Sequence, residues 1–168
     1  MKGPKYPLEQ LVLIKQKKLE EAEKVLQEKK RALEQELHKL AQVEKERDKV
    51  RDHKQAKLDQ LREKLDEGTT SDKIQIMKQY LKVVDEQLKQ RESKVKEQKK
   101  QVEAAEKQLE AARQDLFKKN QDVEKLQLHR KEWEKEIAAE MQREEAIETD
   151  ELGSAMHARK KKKRKNLD

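Results

Sequence analysis

The sequence predicts an all-α fold of two long helices that pack as an antiparallel coiled-coil hairpin. Charged residues make up 47% of the 168 residues and aromatic residues 2%, too few apolar side chains for a compact globular core. Lys, Glu, Gln, Leu, Ala and Arg dominate, and all of them favour helices, whereas disordered chains are usually richer in Pro, Gly and Ser. Between residues 8 and 152 there is no proline and the only glycine is Gly68, which predicts two helices joined by one turn.

The first helix is predicted from about residue 7 to about residue 67, with Pro7 suited to its first turn. A seven-residue repeat predicts the buried face, through Val12, Leu19, Leu26, Leu33, Leu40, Arg47, Lys54 and Leu61. A second row flanks it, consisting of Leu37, Leu58 and Leu65. The apolar stripe is therefore expected to be weak between about residues 41 and 57.

The turn is predicted at residues 68–71. Gly68 can adopt the left-handed conformation that ends a helix. Asp72 with Gln75 three residues later has the form of a capping box, which indicates a new helix start. Because a connection this short joins antiparallel neighbours, we expect the chain to fold back on itself.

The second helix is predicted to be the longer one, from about residue 72 to about residue 151. Of ten positions counted by sevens from Ile74, nine are apolar: Ile74, Leu81, Leu88, Val95, Val102, Leu109, Leu116, Val123 and Ile137, with Arg130 the exception. Three residues after the first nine of them come Met77, Val84, Arg91, Gln98, Ala105, Ala112, Lys119, Leu126 and Trp133. A seven-residue repeat of this length specifies a left-handed coiled coil.

A register follows from the position of the turn. If Leu65 faces Ile74, then Leu37 faces Val102, Arg47 lies beside Glu92, and Tyr6 lies opposite Trp133. Trp133 is then expected to close the open end of the hairpin against Tyr6, the alternative being an exposed anchor for a partner. The second helix extends beyond the first, and no partner within the chain is expected for Ile137, Met141 and Ile147.

Residues 1–158 are predicted to form this single hairpin, and residues 159–168 a disordered basic tail. Residues 159–165 read RKKKKRK, and without residues 159–168 the chain has 36 Lys and Arg against 35 Asp and Glu. Such a tail either binds nucleic acid, an anionic membrane surface or an acidic protein, or it is a solvated appendage. It contains no aromatic residue, which disfavours base stacking.

No catalytic or cofactor-binding pattern is visible, and the sequence predicts neither an enzyme nor a bound metal. His38, His53, His129 and His157 are far apart, there is no cysteine, and a Gly-rich phosphate loop and a nucleophile elbow are absent. The longest apolar run near the N-terminus, residues 11–14, is too short for a signal peptide or a membrane span. A cytoplasmic protein is the resulting expectation.

Three apolar residues lie off the predicted seam. Ile76, Tyr80 and Val83 are spaced i, i+4 and i+7 just after the turn, so they share a helical face. An apolar second face of this kind is typical of a docking site. The alternative is that these residues broaden the seam or pack on the turn.

The segments "YPLEQLVLIKQKKLEEAEK", "ERDKV", "LDEGTTSD", "YLKVV" and "HRKEW" resemble the YscO/FliJ family, especially its CdsO-like members. These are cytoplasmic stalk proteins of virulence-type secretion and flagellar export. The resemblance implies an antiparallel coiled coil that links the hexameric secretion ATPase to the export gate and handles secretion chaperones. Two other functions stay open: a generic coiled-coil chaperone or escort, and a nucleic-acid-binding coiled coil acting through the basic tail.

The resemblance also implies site residues. The gate-contacting aromatic residue of the family falls on Tyr80 and its aliphatic residue on Val84, whereas Gln87 and Arg91 depart from the family in residue type. With the apolar face, the expected export-gate site is Ile76, Tyr80, Val83 and Val84. The end that carries both termini is expected to face the ATPase, with Leu8, Leu11, Val12, Trp133, Ile137 and Met141.

Overall fold

The structure is a computed structural model that describes residues 3–166, and these residues form two long helices. Helix α1 spans Glu9–Glu67 and helix α2 spans Ser71–Lys165, with no strand in the described range. Contacts divide the chain into two compact units, which we call the terminal unit (Met1–Glu20 with Phe117–Asp168) and the turn unit (Glu21–Leu116). In each unit a segment of α1 packs antiparallel to a segment of α2, which confirms the predicted fold class.

The turn between the helices is one residue shorter than predicted. Gly68 has a φ of 81°, the left-handed conformation expected at a helix end. The backbone N–H of Ile74 donates to the carbonyl of Thr70 at 3.2 Å, and α2 begins at Ser71. Asp72 therefore lies inside the first turn and is not the cap, and its charge is favourable there because it faces the positive end of the helix dipole.

The buried face of α2 follows the two predicted rows. Val84 is 1% exposed and Val95 3% exposed, and every other member of the two rows is at least half-buried. The polar members Arg91 and Gln98 are included in this face. The seven-residue repeat therefore identified the two rows that form the buried face of α2, while Tyr80, Asp85 and Asp122 contact α1 from positions beside these rows.

The buried face of α1 confirms one predicted row and corrects the other. The row from Val12 to Leu61 is buried or half-buried throughout. In the second row Leu58 is half-buried, as predicted, but Leu37 is 44% exposed and Leu65 50% exposed. The positions three residues after the first seven members of the first row are buried or half-buried, namely Lys15, Ala22, Lys29, Glu36, Val43, Val50 and Lys57. Leu37 and Leu65 come four residues after Leu33 and Leu61, which rotates them to the side of the interface.

Cross-helix contacts agree with the predicted register to within a few residues. In the turn unit the Lys54 ammonium donates to Asp85 at 2.6 Å. In the terminal unit the ring centroids of Tyr6 and Trp133 lie 5.3 Å apart, so the predicted aromatic pair is confirmed.

Arg47 and Glu92, which the register places side by side, form no ion pair with each other in the described residues. Arg47 instead donates to Asp48 on its own helix, at 3.0 Å, and Arg91 donates to Glu46 at 2.7 Å. The cross-helix ion pair in the polar middle of the interface is thus Glu46 with Arg91, each one residue before Arg47 and Glu92.

The basic segment is not disordered within the described range, because α2 continues through Gly153 as far as Lys165. Lys and Arg favour helices, and cations in the last turn are stabilised by the negative end of the helix dipole. Leu167 and Asp168 of the predicted tail lie outside the described residues. Within residues 3–166, neither helix has a stretch that is both long and apolar enough to cross a membrane.

Candidate docking surfaces

The apolar face after the turn is exposed in the turn unit. Ile76 is 65% exposed, Val83 56% and Tyr80 45%, so none of them is buried in the helix interface. We call these three residues the Tyr80 patch. Ile76 and Tyr80 also line an open groove of about 340 Å³, together with Lys57, Gln60, Lys64, Met77 and Leu81.

Tyr80 is held in place from the opposite helix although nearly half of its surface is exposed. Its hydroxyl lies 2.8 Å from Nε2 of His53, and the two rings meet edge-on with centroids 5.9 Å apart. The Lys57 ammonium lies 5.7 Å from the centre of the Tyr80 ring, within the range of a cation–π interaction. The exposed ring is therefore preorganised, which lowers the entropy cost of binding a partner.

Val84 and Arg91 are placed differently from the Tyr80 patch. Val84 is the most buried large side chain of the described residues and has almost no surface for a partner. Arg91 is engaged with Glu46, whereas Gln87 is exposed. Of the residues to which the family resemblance points, Tyr80 and Gln87 are thus the ones that present their side chains to solvent.

A cross-helix ion pair joins Lys54 to Asp85, which is two residues after Val83 of the Tyr80 patch. The hydrogen bond from the Lys54 ammonium, and then the charge of that ammonium, lower the pKa of the Asp85 carboxyl. Lys89 adds a second ion pair to the same carboxylate at 3.6 Å. The hydrogen bond that Gln98 donates to Glu36 similarly lowers the pKa of the Glu36 carboxyl.

The terminal unit contains a larger open groove, of about 910 Å³. We call it the terminal groove. Residues 3–7, 9 and 10, which precede and begin α1, form one side, and α2 forms the other with Arg130, Trp133, Glu134, Ile137, Ala138 and Met141. Ile137 and Met141 therefore do have neighbours within the chain, and the prediction that they lack them is wrong. The prediction failed because the residues before α1 also pack along α2. Residues 3–6 lie N-terminal to residue 7, where the first helix was predicted to begin.

Tyr6 is the centre of this end of the molecule. It is 6% exposed, its hydroxyl lies 2.6 Å from Nδ1 of His129, and the Arg130 guanidinium lies 5.7 Å from its ring centre. Arg130 also forms ion pairs with Glu9 and Glu134, at 3.1 Å each. The sequence did not predict these contacts, because Arg130 is the polar exception in the heptad row and His129 lies outside both rows.

The residues expected to face an ATPase differ in exposure. Val12 is 4% exposed, Leu8, Trp133 and Ile137 are half-buried, and Leu11 and Met141 are exposed. Further along α2, Ile147 is 58% exposed, as expected for a residue beyond the end of the hairpin. Of the six expected residues, Leu11 and Met141 therefore offer the most surface to a partner.

The described residues hold no cluster of three or more His, Cys, Asp or Glu that could bind a metal ion. His53 and His129 each contact a tyrosine, and His38 lies 3.2 Å from the side chain of Gln42.

The sequence matches the family model described as YscO-like protein over residues 3–163. The structure is similar to that of a proposed YscO homolog, CT670, from Chlamydia trachomatis, with a TM-score of 0.91 and 48% identity over 95% of this chain and 98% of that chain. A chain in the structure of the Chlamydia pneumoniae CdsV and CdsO complex is 54% identical, with a TM-score of 0.49, over 50% of this chain and 98% of that one. No curated protein matches significantly.

Proposed function

The chain belongs to the YscO-like family of type III secretion-associated proteins, and we propose that it is a cytoplasmic central-stalk component of such a system. In this role it links the hexameric secretion ATPase to the export gate, and secretion chaperones are its further partners. It acts by binding and not by catalysis. The observation that carries the proposal is the exposed, preorganised aromatic surface after the turn in a chain of this family.

The export gate is proposed to bind the Tyr80 patch. Ile76, Tyr80 and Val83 offer an aromatic anchor flanked by aliphatic side chains, the kind of cluster that dominates binding energy in interfaces. Val84 contributes from beneath, because its burial fixes the position of the α2 turn that carries Val83 and Tyr80. The gate surface that fits this patch is apolar, with an acceptor for the Lys57 or Lys64 ammonium at the groove.

The ATPase is proposed to bind the terminal unit. Leu11 and Met141 provide the exposed apolar contacts, and Leu8, Val12, Trp133 and Ile137 hold them in place. The Tyr6–Trp133 pair and the Arg130 ion pairs stiffen this end. A stiff end can transmit force to the rest of the helices, which a stalk requires.

Paired titrations of the full chain against the purified ATPase and the cytoplasmic domain of the export gate test this proposal. Tyr80→Ala should weaken gate binding by roughly thirtyfold, the equivalent of about 2 kcal/mol, and leave ATPase binding intact. The double variant Leu11→Ala with Met141→Ala should weaken ATPase binding and leave gate binding intact. Lys82→Ala, at an exposed residue of α2 close to Tyr80, is the matched control and should affect neither titration.

Three outcomes would contradict the stalk function. Equal loss of both partners in each variant would indicate general unfolding. Capture of unfolded proteins with no binding to either partner would favour a chaperone or escort, and a salt-dependent DNA gel shift that requires residues 159–165 would favour nucleic-acid binding.

A further inference from the structure

The last part of α2 is a fully exposed helix whose charges are separated by sign. Residues 140–166 have no buried or half-buried member. Residues 144–151 contain five acids, Glu144, Glu145, Glu148, Asp150 and Glu151, and residues 159–165 are seven consecutive cations. Within residues 3–166 none of these charged side chains forms an ion pair. Between the two charged blocks, Leu152 is 64% exposed and Met156 68%.

The two blocks cannot neutralise each other on one helix. Glu148 and Arg159 are eleven residues apart, which is roughly 16 Å along the axis. A uniformly anionic partner, such as nucleic acid or an acidic membrane, would attract the basic block but be repelled by the acidic one. A complementary partner must carry both signs in the reverse order.

A second copy of the same helix, placed antiparallel, has that order. One face of the segment carries residues at alternating spacings of four and three, as in a coiled-coil seam: Met141, Glu145, Glu148, Leu152, Ala155, Arg159, Lys162 and Asn166. If two copies cross between Gly153 and Ser154, Glu148 faces the second copy's Arg159 and Glu145 faces the second copy's Lys162. Leu152 then faces the second copy's Ala155, and twofold symmetry repeats every pairing.

We propose that residues 141–166 of two copies pair as an antiparallel helical dimer with this register. The centre of the pairing is apolar and small, because Leu152 meets Ala155, and nothing lies within 4 Å of a Cβ built on Gly153. The flanks are four ion pairs on the seam. The inference does not rest on the proposed function, because its ion pairs and its apolar centre lie at residues 145–162, beyond the terminal groove.

Exposed ion pairs contribute little each and are screened by salt. The dimer is therefore weak and strongly dependent on ionic strength. Sedimentation velocity of the full chain should show a monomer–dimer equilibrium at about 0.05 M salt, and the dimer dissociation constant should rise by roughly tenfold or more at about 0.5 M salt.

Charge exchange tests the register. The acid-reversed variant, Glu145→Lys with Glu148→Lys, and the base-reversed variant, Arg159→Glu with Lys162→Glu, should each be monomeric. An equimolar mixture of the two should form a heterodimer, because all four seam pairs regain opposite charges. Lys161→Glu with Arg164→Glu makes the same charge change on the opposite side of the helix and is the matched control, and this variant should still dimerise.

Each alternative result overturns the proposal. A chain that is monomeric at low salt, a mixture that fails to associate, or a control that behaves like the base-reversed variant would each exclude this pairing. Circular dichroism checks folding, and all variants should keep the melting temperature of the parent chain to within a few degrees. A tail-dependent shift with anionic vesicles or DNA, without dimerisation, would assign the basic block to an anionic partner instead.

Discussion

Tyr80 of α2 and His53 of α1 are joined by a hydrogen bond of 2.8 Å between the phenol oxygen and Nε2, at a site where Tyr80 remains 45% exposed. The same residue is thus part of the helix pairing and part of the surface offered to a partner. Tyr6 and His129 repeat the contact in the terminal unit at 2.6 Å, but there the tyrosine is buried. Each of the two tyrosines of the chain therefore contacts a histidine of the other helical segment, but Tyr80 is partly exposed and Tyr6 is buried.

Replacement of Tyr80 separates its two roles. Tyr80→Phe removes only the hydrogen bond to His53, which should lower the free energy of unfolding by about 1 kcal/mol and leave gate binding within a few-fold. Tyr80→Ala should destabilise the chain slightly more and abolish the anchor. Urea titrations together with gate-binding titrations measure both, and equal binding losses for Phe and Ala would show that the hydroxyl, not the ring, contacts the gate.

Leu109 and Leu128 form a matched pair on α2, since one is 7% exposed and the other 60%. Leu109→Asp places a carboxylate in the helix interface and should lower the free energy of unfolding by about 3 kcal/mol. Leu128→Asp should be within about 0.5 kcal/mol of the parent chain. Thermal unfolding followed by circular dichroism distinguishes them, and equal melting temperatures would contradict the observed interface.

Replacement by alanine should lower the stability of the protein at Gly68 and raise it at Gly153. Gly68 has a φ of 81°, so Gly68→Ala strains the backbone and should destabilise the turn by about 1 kcal/mol. Gly153 lies inside α2 with no atom near its Cβ position, so Gly153→Ala should favour the helix by up to about 1 kcal/mol. Helicity at 222 nm and chemical denaturation report the two effects, and a gain in stability from Gly68→Ala would be inconsistent with the left-handed turn.

Stability should also depend on acid pH through Asp85. The hydrogen bond and charge of Lys54 lower the folded-state pKa of Asp85 below its ordinary value of 3.8. A depressed folded pKa adds stability that is fully present above the unfolded pKa and is lost as the pH falls through the folded pKa. The loss should therefore begin below about pH 4, and Asp85→Asn should reduce that slope in melting temperature between pH 5 and pH 2. Asp150→Asn, at an exposed residue without an ion pair in the described structure, is the control and should keep the parent slope.

The sequence by itself determined the two helices, their antiparallel order and the two rows that form the buried face of α2. These features are local, because a heptad repeat fixes which side of a helix is apolar and one glycine in a long helical stretch fixes the turn. The same logic predicted the Tyr6–Trp133 pair from the register alone.

Only the tertiary structure decided the second interface row of α1 and the polar contacts. Leu37 and Leu65 were predicted in the second buried row because they are leucines. Packing against α2 partly buries Val43 and Val50 instead, because the position of the facing helix decides which side of the first row is covered. The Tyr80–His53 and Tyr6–His129 contacts join residues far apart in sequence, and no local periodicity encodes them. The helix through residues 159–165 was missed because the charge run was read as a solvated tail, whereas its residues are good helix formers that continue a helix already nucleated by the hairpin.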